Sequence, residues 1–156
     1  MTASVDLWTA ALAKSDPGYG GWAHVRRNAD GSLAGAAGGE RRTSWAKMVL
    51  TGVIEALTAL ADLPLDTAVT LHFADPDLAA ELVSRDGAYA TAEPEAWAAA
   101  RKLLAARPVL ALAPLPDAAP AAGFLKAWAD FGLDTAKTRG TFKAAIPRPN
   151  LMKFPG

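Results

Sequence analysis

Three kinds of side chain in this sequence have the chemistry to hold or act on a ligand: carboxylates, imidazoles and clustered cations. Hard cations such as Mg²⁺ take clustered carboxylate oxygens, so the acids come first. Asp75-Pro76-Asp77 reads as a helix start, with an N-cap, a proline at the first helical position and a carboxylate on the helix dipole. Asp6 stands in an apolar, β-prone stretch and Glu55 in the middle of an amphipathic one. His24 and His72 are far apart in sequence and lack acidic partners at ligand spacing, so both read as structural. Ser15, Ser44 and Ser84 have no nucleophile-elbow or His/Asp context. The chain has no Cys, which excludes a thiolate metal site, a thiol nucleophile and a disulfide framework.

The cations form two groups. Arg41, Arg42, Thr43 and Lys47 surround the start of a helix, where guanidinium groups and free backbone amides suit phosphate. From Lys137 onward, Lys137, Arg139, Lys143, Arg148 and Lys153 occur without any acid, interleaved with Phe142, Ile146, Leu151, Met152 and Phe154. Such a tail can make salt-sensitive phosphate contacts and stack on bases. It can equally dock Arg148, Leu151, Met152 and Phe154 into a partner's groove or into a cleft of its own domain. Pro147, Pro149 and Pro155 argue against regular structure there.

The elements that position these groups follow from periodicity. Residues 4–10 and 22–26 read as strands, separated by a Gly/Pro loop over 16–21, and Asn28-Ala29-Asp30-Gly31 supplies turn chemistry into a third strand over 32–38. Trp45, Met48, Val49, Gly52, Val53, Ala56, Leu57 and Leu60 mark one face of a long helix, capped by Thr43 or Ser44. A fourth strand over 68–73 precedes a short helix to about Arg85, a loop over 86–90, and a helix over 95–106 opened by Pro94. A fifth strand over 109–112 and a helix over 121–131 complete the order. A β-β-β-α-β-α-α-β-α order is a mixed α/β fold whose five-stranded sheet is antiparallel in its first half and parallel after it.

Composition bounds the class. At 156 residues, 51% hydrophobic and 21% charged, the chain has the size and makeup of one folded domain, 1–136, followed by the basic tail, 137–156. Sixteen Lys and Arg balance sixteen Asp and Glu, so no global field draws polyanions to the whole surface. No apolar run reaches the roughly eighteen residues of a membrane span, and the N-terminus lacks the basic-then-apolar order of a signal peptide. These features lead to the expectation of a cytoplasmic protein without a membrane partner.

The element order and several segments resemble type 1 ribonuclease H. Val5-Asp6-Leu7-Trp8-Thr9 is similar to that family's first strand, and Gly18-Tyr19-Gly20-Gly21-Trp22-Ala23-His24-Val25 to its glycine turn into the second. Trp45–Leu60 resembles its long helix, and Glu95-Ala96-Trp97 with Leu103-Leu104 the helix before its fifth strand. The resemblance implies hydrolysis of the RNA strand of RNA/DNA hybrids by two Mg²⁺ ions that clamp the attacking and leaving oxygens. It also implies four metal-binding carboxylates, which align with Ala10, Ala46, Ala74 and Leu125 or a close neighbour. The histidine expected within Ala113–Pro120 is missing too. Asp6 shares a strand face with Ala10 but lies away from it along the strand.

Alanine makes up about a quarter of the chain, so three alanines arise by ordinary replacement. With the fourth ligand and the histidine also changed, natural loss of catalysis explains the set better than a designed triple-alanine variant. The family's basic protrusion is reduced to one Arg and two acids within Ser84–Glu93. The expectation is a noncatalytic domain of ribonuclease H-like fold without metal or cofactor. It would bind RNA or RNA/DNA hybrid through Arg41, Arg42, Thr43, Lys47, Lys137, Arg139 and Lys143, or serve as a subunit of an RNA-processing assembly. The alternative is a protein–protein adaptor working through its tail or an apolar surface.

Overall fold

The computed structural model describes residues 4–15, 18–75, 78, 80–81 and 87–156. The N-terminal third forms three long antiparallel strands, β1 (Ser4–Ser15), β2 (Gly18–Arg27) and β3 (Leu33–Thr43). The β2–β3 turn closes as its sequence dictates: Gly31 takes φ 86°, and the Asp30 carboxylate accepts from the Ser32 amide at 2.9 Å. Helix α1 (Trp45–Thr58) follows, with Ser44 as N-cap accepting from the Lys47 amide at 3.1 Å. Then come β4 (Ala68–Phe73), α2 (Ala88–Ala92), α3 (Pro94–Ala105), β5 (Leu110–Pro114), α4 (Pro120–Arg139), β6 (Phe142–Ala145) and α5 (Arg148–Leu151). The sheet order is β5-β4-β1-β2-β3-β6, with β4 parallel to both β1 and β5.

Alternation along β1 divides the molecule into two cores. Val5 and Leu7 face α1 and α3, packing with Leu50, Val53, Leu57, Leu71 and Trp97. Trp8 and Ala10 face α4, packing with Val25, Leu125, Ala129 and the tail residues Ile146, Leu151 and Phe154. Helix α4 lies backbone-close to β2 and β3. A Cβ added at Gly21 would stand 1.9 Å from the Ala129 carbonyl oxygen, and one at Gly132 would stand 2.0 Å from that of Gly38. Only glycine permits so close an approach.

Several expectations are corrected. The sheet has six strands rather than five, because β6 pairs antiparallel with β3 through Ala36↔Ala145 to Gly39↔Phe142. The Gly/Pro loop shortens, since Gly18–Gly21 belong to β2, where bare backbone is what the two helices require. The last helix runs to Arg139, so a boundary at 136/137 falls inside α4. Pro147 and Pro149 flank and open α5 rather than abolish it, since the first turn of a helix needs no amide donors. The loop over 86–90 is partly helical, within α2. Of the helix expected from Pro76 to about Arg85, residues 76–77, 79 and 82–85 lie outside the described residues; Leu78 is buried. Among the described residues, no helix is long and apolar enough to cross a membrane.

Gly132→Ala forces α4 off the sheet, and overpacking of this kind costs about 1–3 kcal/mol or more; a lowered urea midpoint would register it. His24, on β2, titrates at about 4, held down by burial and then by Lys143. The unfolded chain titrates near the ordinary 6.5 and so binds a proton that the folded chain refuses. The stability contributed by neutral His24 is therefore complete above about pH 6.5 and declines by up to ~3 kcal/mol as pH falls to 4. Urea unfolding at pH 7 and 4.5 should show this loss in the wild type and a shallower one in His24→Phe.

Candidate nucleic-acid interface

Where the β1–β4 pairing ends, at Thr9↔Phe73 beside the start of α1, the chain forms a small pocket of about 30 Å³. Its walls are Thr9, Ala10, Ala11, Trp45, Val49, Phe73, Ala74, Asp75 and Lys126. Ala10 and Ala74 both line it. Ala46 does not: it packs against the α1-side core. The reason lies in Gly52, whose missing side chain lets α1 approach Thr9, a Cβ there falling 2.6 Å from its hydroxyl oxygen. Trp45 and Val49, seven and three residues earlier, share that face at 3.6 residues per turn, whereas Ala46 is rotated away. Likewise Leu125 is buried in the second core, and its neighbour Lys126 lines the pocket. The helical spacing of Trp45, Val49 and Gly52 was the sequence signal for this assignment.

These donors do not suit a pair of Mg²⁺ ions, each of which needs about six oxygens near 2.1 Å. Among the described residues Asp75 is the one carboxylate in the wall, and it accepts a hydrogen bond from the Tyr89 hydroxyl. Lys126 brings an ammonium, bonded to Asp117 at 2.7 Å, and a fixed positive charge opposes a divalent cation. Among the described residues, no group of three or more His, Asp and Glu gathers anywhere. His72 does have an acidic partner, contrary to the reading from sequence. Its Nε2 lies 3.1 Å from Asp6, across the β1–β4 pairing, and its ring stacks on Trp8 at 4.8 Å.

The basic residues separate into those the fold gathers and those it spends. Between Gly18 and Gly20 the β2–β3 register shifts, so that Arg41 and Arg42 on β3 stand opposite Tyr19. Arg42 takes φ 52°, a left-handed conformation that costs a non-glycine residue about 1 kcal/mol or more and concentrates at binding sites. Arg41 donates to the Ala136 and Lys137 carbonyls at 2.9 and 2.6 Å, capping the end of α4. The Lys137 ammonium lies 5.8 Å from the Tyr19 ring centre and also pairs with Asp134, one turn earlier on α4, at 3.5 Å. Gly18, Tyr19, Arg41, Arg42, Lys137, Gly140 and Thr141 enclose an open cleft of about 780 Å³, with no carboxylate in its wall among the described residues.

The other candidates are elsewhere. Thr43 is buried, and its hydroxyl finds no partner among the described residues. Lys47 pairs with Glu40 at 3.0 Å, and Lys143 with Glu55 at 2.9 Å on the α1 face. Arg139 ends α4, exposed, outside the cleft wall. In the tail, Leu151 and Phe154 are buried in the domain's own second core, with Phe154 edge-on to Trp8 and Phe124. That corrects their reading as free partner-binding groups, while Met152, 80% exposed, and Arg148 stay at the surface.

No family model matches the chain. A stretch of 69 residues is 41% identical to a ribonuclease H of Albidiferax ferrireducens, covering 44% of this chain and 44% of that relative. The match thus spans less than half of the relative's length. The N-terminal RNase H domain of a Mycobacterium tuberculosis protein, solved as a fusion with maltose-binding protein, superposes with a TM-score of 0.74 at 17% identity, over 87% of this chain and 97% of that one. RNase H1 from the halophilic archaeon Halobacterium salinarum gives 0.70 at 22%, over 85% and 99%. LC11-RNase H1, solved in complex with RNA/DNA hybrid, gives 0.73 at 16%, over 86% and 99%. At these identities the structural likeness is one of fold. The family that this chain resembles, in sequence over the matched stretch and in fold over most of its length, is ribonuclease H.

Proposed function

We propose that the chain is a noncatalytic nucleic-acid-binding domain of ribonuclease H fold, taking the sugar-phosphate backbone of RNA or RNA/DNA hybrid. The observation that carries the noncatalytic part is the wall of the β1–β4 pocket: Ala10, Val49, Ala74 and Lys126 in place of an oxygen-rich cluster. What supports the binding part is the cleft of Arg41, Arg42 and Lys137 beside Tyr19, a set of three cations on a neutral protein. A local patch of this kind holds phosphates through counterion release, which needs no divalent ion. A solved structure of this fold in complex with RNA/DNA hybrid supplies the precedent for the ligand class. The adaptor reading draws less support, since Leu151 and Phe154 are occupied within the domain.

Titration of labelled RNA, RNA/DNA hybrid and DNA duplex at two salt concentrations, with and without Mg²⁺, tests the reading. The expected result is salt-sensitive binding of RNA or hybrid, indifferent to Mg²⁺, without cleavage. Replacing Arg42 and Lys137 by Ala together should flatten the logarithmic salt slope by about two, roughly one for each phosphate no longer neutralised. Absence of binding to all three ligands would overturn the proposal.

A second measurement addresses the pocket. By calorimetry the wild type should take up no Mn²⁺ at this site, whereas Ala10→Asp, Val49→Glu, Ala74→Asp and Lys126→Asp in combination should create uptake. Divalent-dependent cleavage by the wild type would sink the noncatalytic reading.

A further inference from the structure

Strands β3 and β6 carry the sheet past the flank of α1, and small residues pave the face they expose. Register places Ala34 and Ala36 of β3 beside Arg26 and His24 of β2, and Ala145 of β6 beside Ala36. The result is an open cleft of about 440 Å³ against the last turns of α1. It sits at the opposite end of α1 from the Trp45–Val49 pocket and is separate from the basic cleft.

The polar groups of this cleft are arranged rather than scattered. His24 forms part of its lining at only 5% exposure, with one ring face stacked on Trp22 and its Nδ1 without a partner among the described residues. A buried imidazole nitrogen left unbonded is costly, an exception that a ligand would remove. At the rim, Lys143 and Glu55 stand 2.9 Å apart, a donor and an acceptor side by side. The charges cancel in pairs, Lys143 with Glu55 and Arg26 with Asp62, while burial keeps His24 neutral. A net charge on the ligand would therefore gain nothing.

We propose that this cleft binds a small, uncharged, planar heterocycle with adjacent N–H and C=O groups, the amide edge of a uracil- or guanine-type base. The Lys143 ammonium donates to its carbonyl and the Glu55 carboxylate accepts from its N–H. His24 Nδ1 makes the third hydrogen bond, and the alanine floor accommodates the flat ring. The Lys143–Glu55 pair opens readily, since a half-exposed ion pair is only weakly held. The site stands whether or not the basic cleft binds nucleic acid.

The test titrates uridine, guanosine, cytidine and adenosine into the full chain, following the His24 ring resonances by NMR and the heat by calorimetry. Uridine or guanosine should shift the His24 signals and bind at least tenfold more tightly than cytidine and adenosine, which lack the amide edge. Ala36→Leu fills the cleft from the strand without entering either core, and His24→Phe removes the hydrogen bond at the floor; each should weaken binding at least tenfold. A triuridylate that binds no better than uridine assigns the site to a free nucleoside, and tighter binding assigns it to a base on a strand. Unmoved His24 signals with both uridine and guanosine, or wild-type affinity in a folded Ala36→Leu, would overturn the proposal.

Discussion

The approach of α4 to the sheet, backbone against backbone at Gly21, Gly39 and Gly132, governs the rest of the structure. A helix normally stands off a sheet by the thickness of two side-chain layers, and here the layer is removed along one line. That line determines where α4 ends, and its end places the Ala136 and Lys137 carbonyls within reach of Arg41. The same close approach positions Leu125 in the second core and turns Lys126 toward the β1–β4 pocket. The basic cleft and the pocket are thus consequences of one packing decision made by three glycines.

Small apolar residues such as Ala10, Val49 and Ala74 in this pocket favour a stable fold for an electrostatic reason. Several carboxylates sharing a site repel one another and hold stability down until cations neutralise them. Small apolar side chains beside the end of the β1–β4 pairing carry no such repulsion and continue the packing of the adjacent cores. Lys126 adds a positive charge to the pocket wall, and its bond to Asp117 satisfies it locally.

The tail shows how a basic, proline-rich segment becomes part of a core. Its charges stay outside while Ile146, Leu151 and Phe154 enter the second core beside Trp8. Prolines at the start of α5 cost nothing, because helical first turns have amides to spare. With β6 added to β3, the sheet gains an edge strand carrying Lys143, a charge that discourages pairing with other chains.

The sequence by itself determined the element order from β1 to β4 and from α3 to α4, an N-cap at Thr43 or Ser44, the turn at Asn28–Gly31 and the family resemblance, because these depend on local periodicity and short-range hydrogen bonds. Only the tertiary structure decided that Val49 rather than Ala46 and Lys126 rather than Leu125 face the pocket. Those outcomes depend on how each helix is rotated against the sheet, and that rotation is set by close approaches at Gly52 and Gly132 that no local pattern encodes. The same holds for the pairing of Asp6 with His72 across two parallel strands, and for β6, a four-residue strand that exists because β3 offers it an edge.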